Sequence, residues 1–538
     1  MREIASEHNA ATFLPVRITL FTPFLQRTLK ASPPDWLRLT PTPEGPDYMK
    51  VLLLYPPTPE TFWSFKHVLR FVSKRATFPP LGLLTVAALL PAEWGLKLVD
   101  LNVEPLSGDD LRWADYVMLS AMMVHKAEVA DLVERCRWFS KPVIAGGPLF
   151  STGRAAFPNI QHFVLGEAED IMPQFIEDLR AGTLRPTYSA PDRPDITRSP
   201  VPRWDLIDLQ HYVAMAVQFS RGCPFDCEFC DIPVMSGHLP RTKTSGQLVA
   251  ELEQLRLRGW QDKVFVVDDN FIGNKKQTKA LLQELIEWRA RTRSPMGFLT
   301  EASANLADDP ELCGLMVRAG FKKVFVGIET PSAPSLEECR KLQNCHRDLA
   351  ETVKILQRSG LEVMGGFIVG FDHDGTDIFK RQFEFIQRSG VVTAMVGLLN
   401  ALPETRLYRR LMKEGRLESD TTGNNTEATL NFRPKLSREF LITGYRDLMK
   451  RLYEPRHYYQ RIRIFLQHQQ PRGPRLRLSR RDLEAFVKSL CLLGVWHRGR
   501  LAYWRFVLMA LLRRPRQFPK AMELAIIGYH FRRVASDL

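Results

Sequence analysis

Three of the eight cysteines, Cys223, Cys227 and Cys230, sit in Gln218-Phe-Ser-Arg-Gly-Cys-Pro-Phe-Asp-Cys-Glu-Phe-Cys-Asp231, spaced C-x3-C-x2-C. They follow an apolar run at 212–219 that predicts a strand. Three thiolates on one short loop can hold three corners of an iron–sulfur cube, whose fourth iron then keeps an open coordination position. Zinc also accepts thiolates, but a structural zinc site needs a fourth ligand, and no second C-x2-C or H-x3-H lies nearby. A disulfide framework is disfavoured by eight cysteines in 538 residues without a secretory signal.

Stepping strand then helix, residues 211–400 contain strand candidates at 213–220, 264–268, 297–302, 323–328, 363–370 and 393–399. Amphipathic helical stretches fall between them at 245–258, 275–291, 310–319, 349–359 and 376–389. This predicts a parallel α/β barrel, in which the site lies at the carboxyl ends of the strands. Polar residues stand there: Asp268-Asp269-Asn270, Glu301 with Ser303, and Glu329-Thr330. Singly, each carboxylate is as well explained by a helix cap or loop salt bridge; together they point to a site.

The cysteine loop, with Phe229 just before its last cysteine, resembles the radical S-adenosylmethionine (SAM) signature. The resemblance implies a partial (β/α)6 barrel with a [4Fe-4S] cluster on Cys223, Cys227 and Cys230. Its open iron chelates SAM, which is cleaved to a 5′-deoxyadenosyl radical, and the protein positions the cofactors. It also implies that Asp268 and Asp269 lie near the SAM amino group, that Glu301, Ser303 and Glu329 serve the ribose or methionine portion, and that the strand Gly366-Phe-Ile-Val-Gly370, with Gly366 and Ile368, borders adenine.

Residues 49–190 alternate short apolar runs (51–55, 96–100, 116–120, 142–145, 162–165) with helices at 81–90 and 126–138, the pattern of a doubly wound, Rossmann-like parallel sheet. Gly146-Gly147 after the fourth run, taken alone, is more simply a turn than a ligand cradle. Phe78-Pro-Pro-Leu-Gly-Leu-Leu84, Val99-Asp-Leu-Asn102, Ala145-Gly-Gly-Pro148 and Leu165-Gly-Glu-Ala-Glu169 resemble, in order, the cobalamin-binding domain preceding many radical SAM modules. Ser120, Gly146 and Gly147 are the candidate cobalamin contacts. The family motif Asp-x-His-x-x-Gly is missing, and His67 and His125 lack its context.

Residues 191–210 are read as a linker and 401–538 as a helical module. Residues 1–48, with seven prolines and no sustained period, are expected to be a disordered extension or a start assigned too early. Residues 451–538 hold 19 Lys/Arg against 5 Asp/Glu, which accounts for the whole net charge of +14. That basic tail is read three ways: a packed helix pair with a solvated face, a lipid-headgroup contact through 470–538, or an RNA contact, the last without a recognisable fold. Cys136, Cys313, Cys339 and Cys345 are expected to be structural. With no run of about 18 apolar residues, no membrane-spanning helix is expected, and the cysteine usage fits the cytoplasm, with peripheral contact at the inner membrane face as an addition.

From about 49 to 465 the chain resembles cobalamin-dependent radical SAM enzymes, in the group that includes hopanoid C-2 methylase. The resemblance implies a C-methyltransferase using SAM, a [4Fe-4S] cluster and cobalamin on an unactivated carbon of a small molecule or lipid, reduced by flavodoxin or ferredoxin. Rival readings are a radical cyclase or oxidoreductase with the same cofactors, and a non-enzymatic cobalamin- or cluster-responsive binding protein.

Overall fold

Runs such as Val51-Leu-Leu-Leu54 are fully buried, as strands covered on both faces must be. The computed structural model describes residues 48–424, 426–470, 472 and 480–538, so the expectations for 1–47 and for 473–479 of the basic linker lie outside the described residues. The first sheet contains β1 (Lys50–Tyr55), β2 (Gly95–Asp100), β3 (Tyr116–Ser120), β4 (Val143–Gly146), β5 (His162–Leu165) and β6 (Thr187–Ser189), all parallel in the order β2-β1-β3-β4-β5-β6. Strand order reverses between β1 and β3, which puts a crevice beyond their carboxyl ends. Three-residue β6 has no apolar run of its own and is invisible to a periodicity reading.

The second sheet runs in chain order: β7 (Ala214–Val217), β10 (Lys263–Val266), β11 (Gly297–Glu301), β12 (Phe321–Glu329), β13 (Glu362–Val369) and β14 (Ala394–Leu398), all parallel. It is a six-stranded partial barrel with β7 and β14 at its edges. The run predicted as one strand at 213–220 is divided. After Val217 the chain leaves the sheet, and β8 (Ser220–Arg221) pairs antiparallel with β9 (Arg241–Thr242). The cause is Asp268, which accepts from the Phe219 N–H (2.7 Å) and the Ser220 hydroxyl (2.6 Å). The β7 edge is covered by the first module: the Val213 and Ala214 N–H groups donate to Ala76 and Thr77 carbonyls at 3.1 and 3.0 Å.

Side chains fill the barrel in layers. At the amino ends of the strands, Lys263, Lys323 and Glu362 meet Glu523 and Lys520 of the terminal helix Phe518–Asp537. Above them, Trp63 from the loop after β1 stacks on Phe265 at 5.8 Å and tilts against Phe325 at 5.2 Å. Gly366 leaves room for Phe325, whose ring would stand 2.7 Å from a Cβ there. The terminal helix also places Phe531 on Phe62 at 5.8 Å. Part of the basic tail is therefore core: it closes the barrel floor and touches the first module.

Residues 191–210 fold into short 3-10 turns that bury Trp204. Among the described residues no helix is long and apolar enough to cross a membrane. Against its burial, Lys323, then Lys520 and Lys263, hold the Glu523 carboxyl well below its ordinary value. Glu523→Ala strips Lys263 of its partner and leaves Lys323 and Lys520 to share Glu362, and should lower unfolding free energy by about 3–5 kcal/mol, read from the urea midpoint.

Candidate active site

The cysteine loop hangs between β8 and the short helix Ile232–Met235, and its own backbone shapes it. The Cys223 N–H donates to Gly237 O (3.1 Å) and the Cys230 N–H to Cys227 O (3.1 Å). Gly222 enters the loop at φ +98°, with carbonyls of Leu239 and Gly237 2.8 and 3.0 Å from where a Cβ would lie, so only glycine fits. Neighbours pin the loop from several sides. The Gly222 N–H donates to Asp269 Oδ2 (2.8 Å). Arg221 reaches into the first module, to Glu167 (2.7 Å) and Glu169 (2.7 Å), and Arg241 also binds Glu167 (2.9 Å). On the other side Arg410 forks onto Glu228 (2.6 and 3.0 Å) and holds Asp372 (2.9 Å), while Arg406 binds Asp226 (2.8 Å).

All three cysteines are unbridged. Ligand atoms of Glu60, His67 and Asp537 crowd within 4.8 Å of one another. Three free thiols on one short loop suit three corners of an iron–sulfur cluster, whose fourth iron keeps an open position. Burial pushes the Cys223 and Cys230 thiols up, so their thiolates need compensating positive charge, which bound iron supplies. Lys341 faces them. Against its own burial, Glu329 and then the Cys227 sulfur hold it charged, above its ordinary value.

The sequence-predicted residues divide in two groups. Asp268 has both oxygens engaged by the loop, and burial raises its carboxyl to about 7. Asp269 uses one oxygen on Gly222. Ser303 lies in a relay: Asn270 Nδ2 donates to its Oγ (3.2 Å) and stands 3.8 Å from Cys223 Sγ. The Glu301 carbonyl accepts from the Phe271 N–H (3.0 Å), but its carboxyl accepts no hydrogen bond among the described residues, and burial, then Asp269, raises it to about 8. Glu329, at φ +65°, pairs with Lys341 at 2.7 Å. The pair exists because position 327 is glycine: a Cβ there would strike Glu329 Oε1 and come within 2.8 Å of Lys341 Nζ. Phe229 lies 6.0 Å under Lys341 and 6.2 Å from Phe371. Gly366 on β13 pairs with Gly327 of β12, and Ile368 follows Phe367, the partner of Glu329.

In the first module, Gly147 (φ +93°) packs so tightly on β3 that a Cβ would be 2.8 Å from Ser120 Oγ, and one on Gly146 would be 3.0 Å from Val164 O. Close strand packing thus requires both glycines. Beyond β5, Gly166 faces open space. His125 is a core histidine: its Nδ1 accepts from the Met122 N–H (3.1 Å), so Nε2 carries the proton towards Thr58 Oγ1 (3.2 Å), and burial lowers it to about 4. Cys339 and Cys345 each turn onto a backbone carbonyl, of Leu336 and Lys341.

Residues 217–386 match the radical SAM superfamily, and residues 405–538 match a domain of unknown function. The chain is 40% identical over 489 residues to an uncharacterised methyltransferase of Synechocystis, covering 90% of this chain and 91% of that one. It is 35% identical over 484 residues to the hopanoid C-2 methylase of Rhodopseudomonas palustris, covering 87% and 90%. Among solved structures, the radical SAM methyltransferase TsrM of Kitasatospora setae, with cobalamin and a [4Fe-4S] cluster bound, superposes with a TM-score of 0.59 at 15% identity, over 91% of this chain and all of that one. The chain belongs to the radical SAM methyltransferase family.

Sequence reading missed Lys341, which lies in no periodic element, and the clamp of Arg221 on Glu167 and Glu169, whose motif residues carried no sign of each other. Against its burial, Arg221 holds the Glu169 carboxyl below its ordinary 4.5. The clamp's contribution is therefore present above about pH 4.5 and lost as pH falls through the lower folded value. Glu169→Gln should cost about 3–5 kcal/mol at pH 7 and flatten the acid limb of stability against pH, measured by denaturant titration across pH.

Proposed function

We propose that this enzyme is a cobalamin-dependent C-methyltransferase acting on an unactivated carbon of a hydrophobic substrate of the lipid class, such as a hopanoid. The observation that carries the reading is the cysteine loop: three unbridged thiols within eight residues, facing the Lys341–Glu329 pair. When bound, the cluster and SAM supply the hydrogen-abstracting radical, and cobalamin supplies the methyl group.

Cys223, Cys227 and Cys230 would hold the cluster. Lys341 would bind the SAM carboxylate as a cation. Asp269 would serve the amino group, while Asp268 holds the loop that presents the cysteines. Glu301 and Ser303 would face the ribose, Glu329 orients Lys341, and Phe229, Gly366 and Ile368 would border the adenine. In the first module, cobalamin would spread over the ledge of Ser120, Gly146, Gly147 and the open backbone at Gly166, a surface that suits a broad ligand without a histidine on its metal. The packed aromatic layer of Trp63, Phe265 and Phe325 would form an apolar floor beneath the substrate. A reductant such as flavodoxin or ferredoxin has access from outside, where a cavity of about 900 Å³ is lined by Cys227, Cys230, Arg340, Arg406 and Arg409.

Anaerobically reconstituted enzyme should show iron–sulfur absorbance and release 5′-deoxyadenosine with a methylated lipid. Cys227→Ala should lose the absorbance and the cleavage. Lys341→Met should keep iron content but bind SAM about 10–100-fold more weakly, the worth of one hydrogen bond to a charged group. Cleavage without a methylated product would replace the methylase with the cyclase or oxidoreductase reading; no cleavage at all would leave a binding protein.

A further inference from the structure

Helix Arg500–Arg513 is apolar on two opposite faces. Tyr503, Phe506, Val507 and Ala510 are buried, with Phe506 stacked on Tyr459 at 4.8 Å. Leu501, Trp504, Leu508, Leu511 and Leu512 occupy the opposite face by helical phase, and all are exposed, Leu501 by 72% and Leu512 by 77%. The preceding turn adds Val495 and Trp496, the latter 80% exposed. A helix apolar all round is ordinarily buried in protein or lipid, and contiguous exposed apolar surface marks an interaction site.

Charge selects the partner. Arg498, Arg500, Arg505, Arg513, Arg514 and Arg516 are exposed and make no salt bridge among the described residues. A second copy docked symmetrically through this ridge would bring the two arginine sets together. Nucleic acid would satisfy the arginines but gives no role to the exposed leucines and tryptophans. An anionic bilayer satisfies both, with guanidinium groups at the lipid phosphates and apolar side chains at the acyl boundary.

We propose that the ridge at 495–516 seats the enzyme on anionic membrane, in the plane of the interface. The neighbouring helix Arg480–Cys491 packs on Lys66–Val72: Lys488 donates to Ser73 Oγ at 2.8 Å, and Ala485 packs with Phe71. Lys66–Val72 directly follows the loop whose Trp63 enters the barrel. The membrane-facing surface is thus one helix removed from the segment that lines the apolar interior. The inference stands on this surface and not on the proposed reaction.

The test is sedimentation of the full-length, reconstituted enzyme with vesicles of phosphatidylcholine, alone or mixed with phosphatidylglycerol. Binding should require the anionic lipid and weaken as salt rises from about 0.1 to 1 M, where the screening length falls from about 10 to 3 Å. The triple variant Trp496→Glu, Leu508→Glu, Leu512→Glu should lose at least about tenfold in binding. Its thermal midpoint and SAM cleavage should be unchanged, since these side chains touch neither core nor site. Equal binding to neutral vesicles, undiminished binding by the variant, or no binding because residues 1–47 or a second copy cover the ridge would each overturn the proposal. Wild-type enzyme that cleaves SAM but does not bind anionic vesicles would sink this inference alone, and wild-type enzyme that binds them but does not cleave SAM would sink the reaction alone.

Discussion

The buried clamp of Arg221 on Glu167 and Glu169 is the contact on which the geometry of the site depends. It leaves the cysteine loop one residue before Gly222 and ends in the first module, so whatever the two modules bind is referred to one fixed loop. Buried ion pairs are weak sources of net stability, because desolvation cancels most of the attraction, but a forked guanidinium fixes direction as well as distance. Arg410 does the same from the opposite side, forking onto Glu228 between two of the cysteines. First module, barrel and helical extension thereby meet at a loop whose own secondary structure is a few turns. Without those charges the loop would have little to define it.

Inside the barrel, polarity is layered to the same end. Charged networks close the floor, where Glu523 meets three lysines, and line the top, where Glu329 meets Lys341. Between them Trp63 and two phenylalanines make a dry layer. Both networks sit in surroundings that strengthen them electrostatically and punish any missing partner. Gly327 and Gly366 are the converse device: removing a side chain lets an ion pair close at the one and a ring seat at the other.

What was legible in the sequence follows from range. The cysteine spacing is local, and the six barrel strands and their helices are periodic, so both could be read directly. The β8–β9 pairing could not, because it is created by Asp268, a residue 47 positions beyond Arg221 in the chain. Lys341 and the clamp were illegible for the same reason, since each is defined by its partner. The basic tail shows the limit of composition. Its net charge marked one basic module and left its role open among three readings, and within it Arg461 is fully buried against Tyr453 and Tyr458 and the terminal helix is barrel floor, while the arginines of 498–516 stay in solvent.

The strand-end carboxylates show how a structure refines such a reading. A carboxylate at the carboxyl end of a barrel strand is a candidate ligand group, and sequence treats Asp268, Asp269, Glu301 and Glu329 alike. Hydrogen-bond satisfaction separates them, because an oxygen that already accepts from a buried donor has fewer lone-pair sites left for a ligand, and breaking the existing bond would leave the donor bare at a cost of about 1–3 kcal/mol. Asp268 is committed on both oxygens and belongs to the loop. Asp269 accepts from the Gly222 N–H and is touched by Ser236, and Glu329 is committed to Lys341. The Glu301 carboxyl accepts nothing among the described residues, and its burial, which raises it to about 8, favours the neutral acid, which can donate as well as accept. Availability therefore rises in the order Asp268, Asp269, Glu301, and the residue least distinguished in the sequence is the one the fold leaves free.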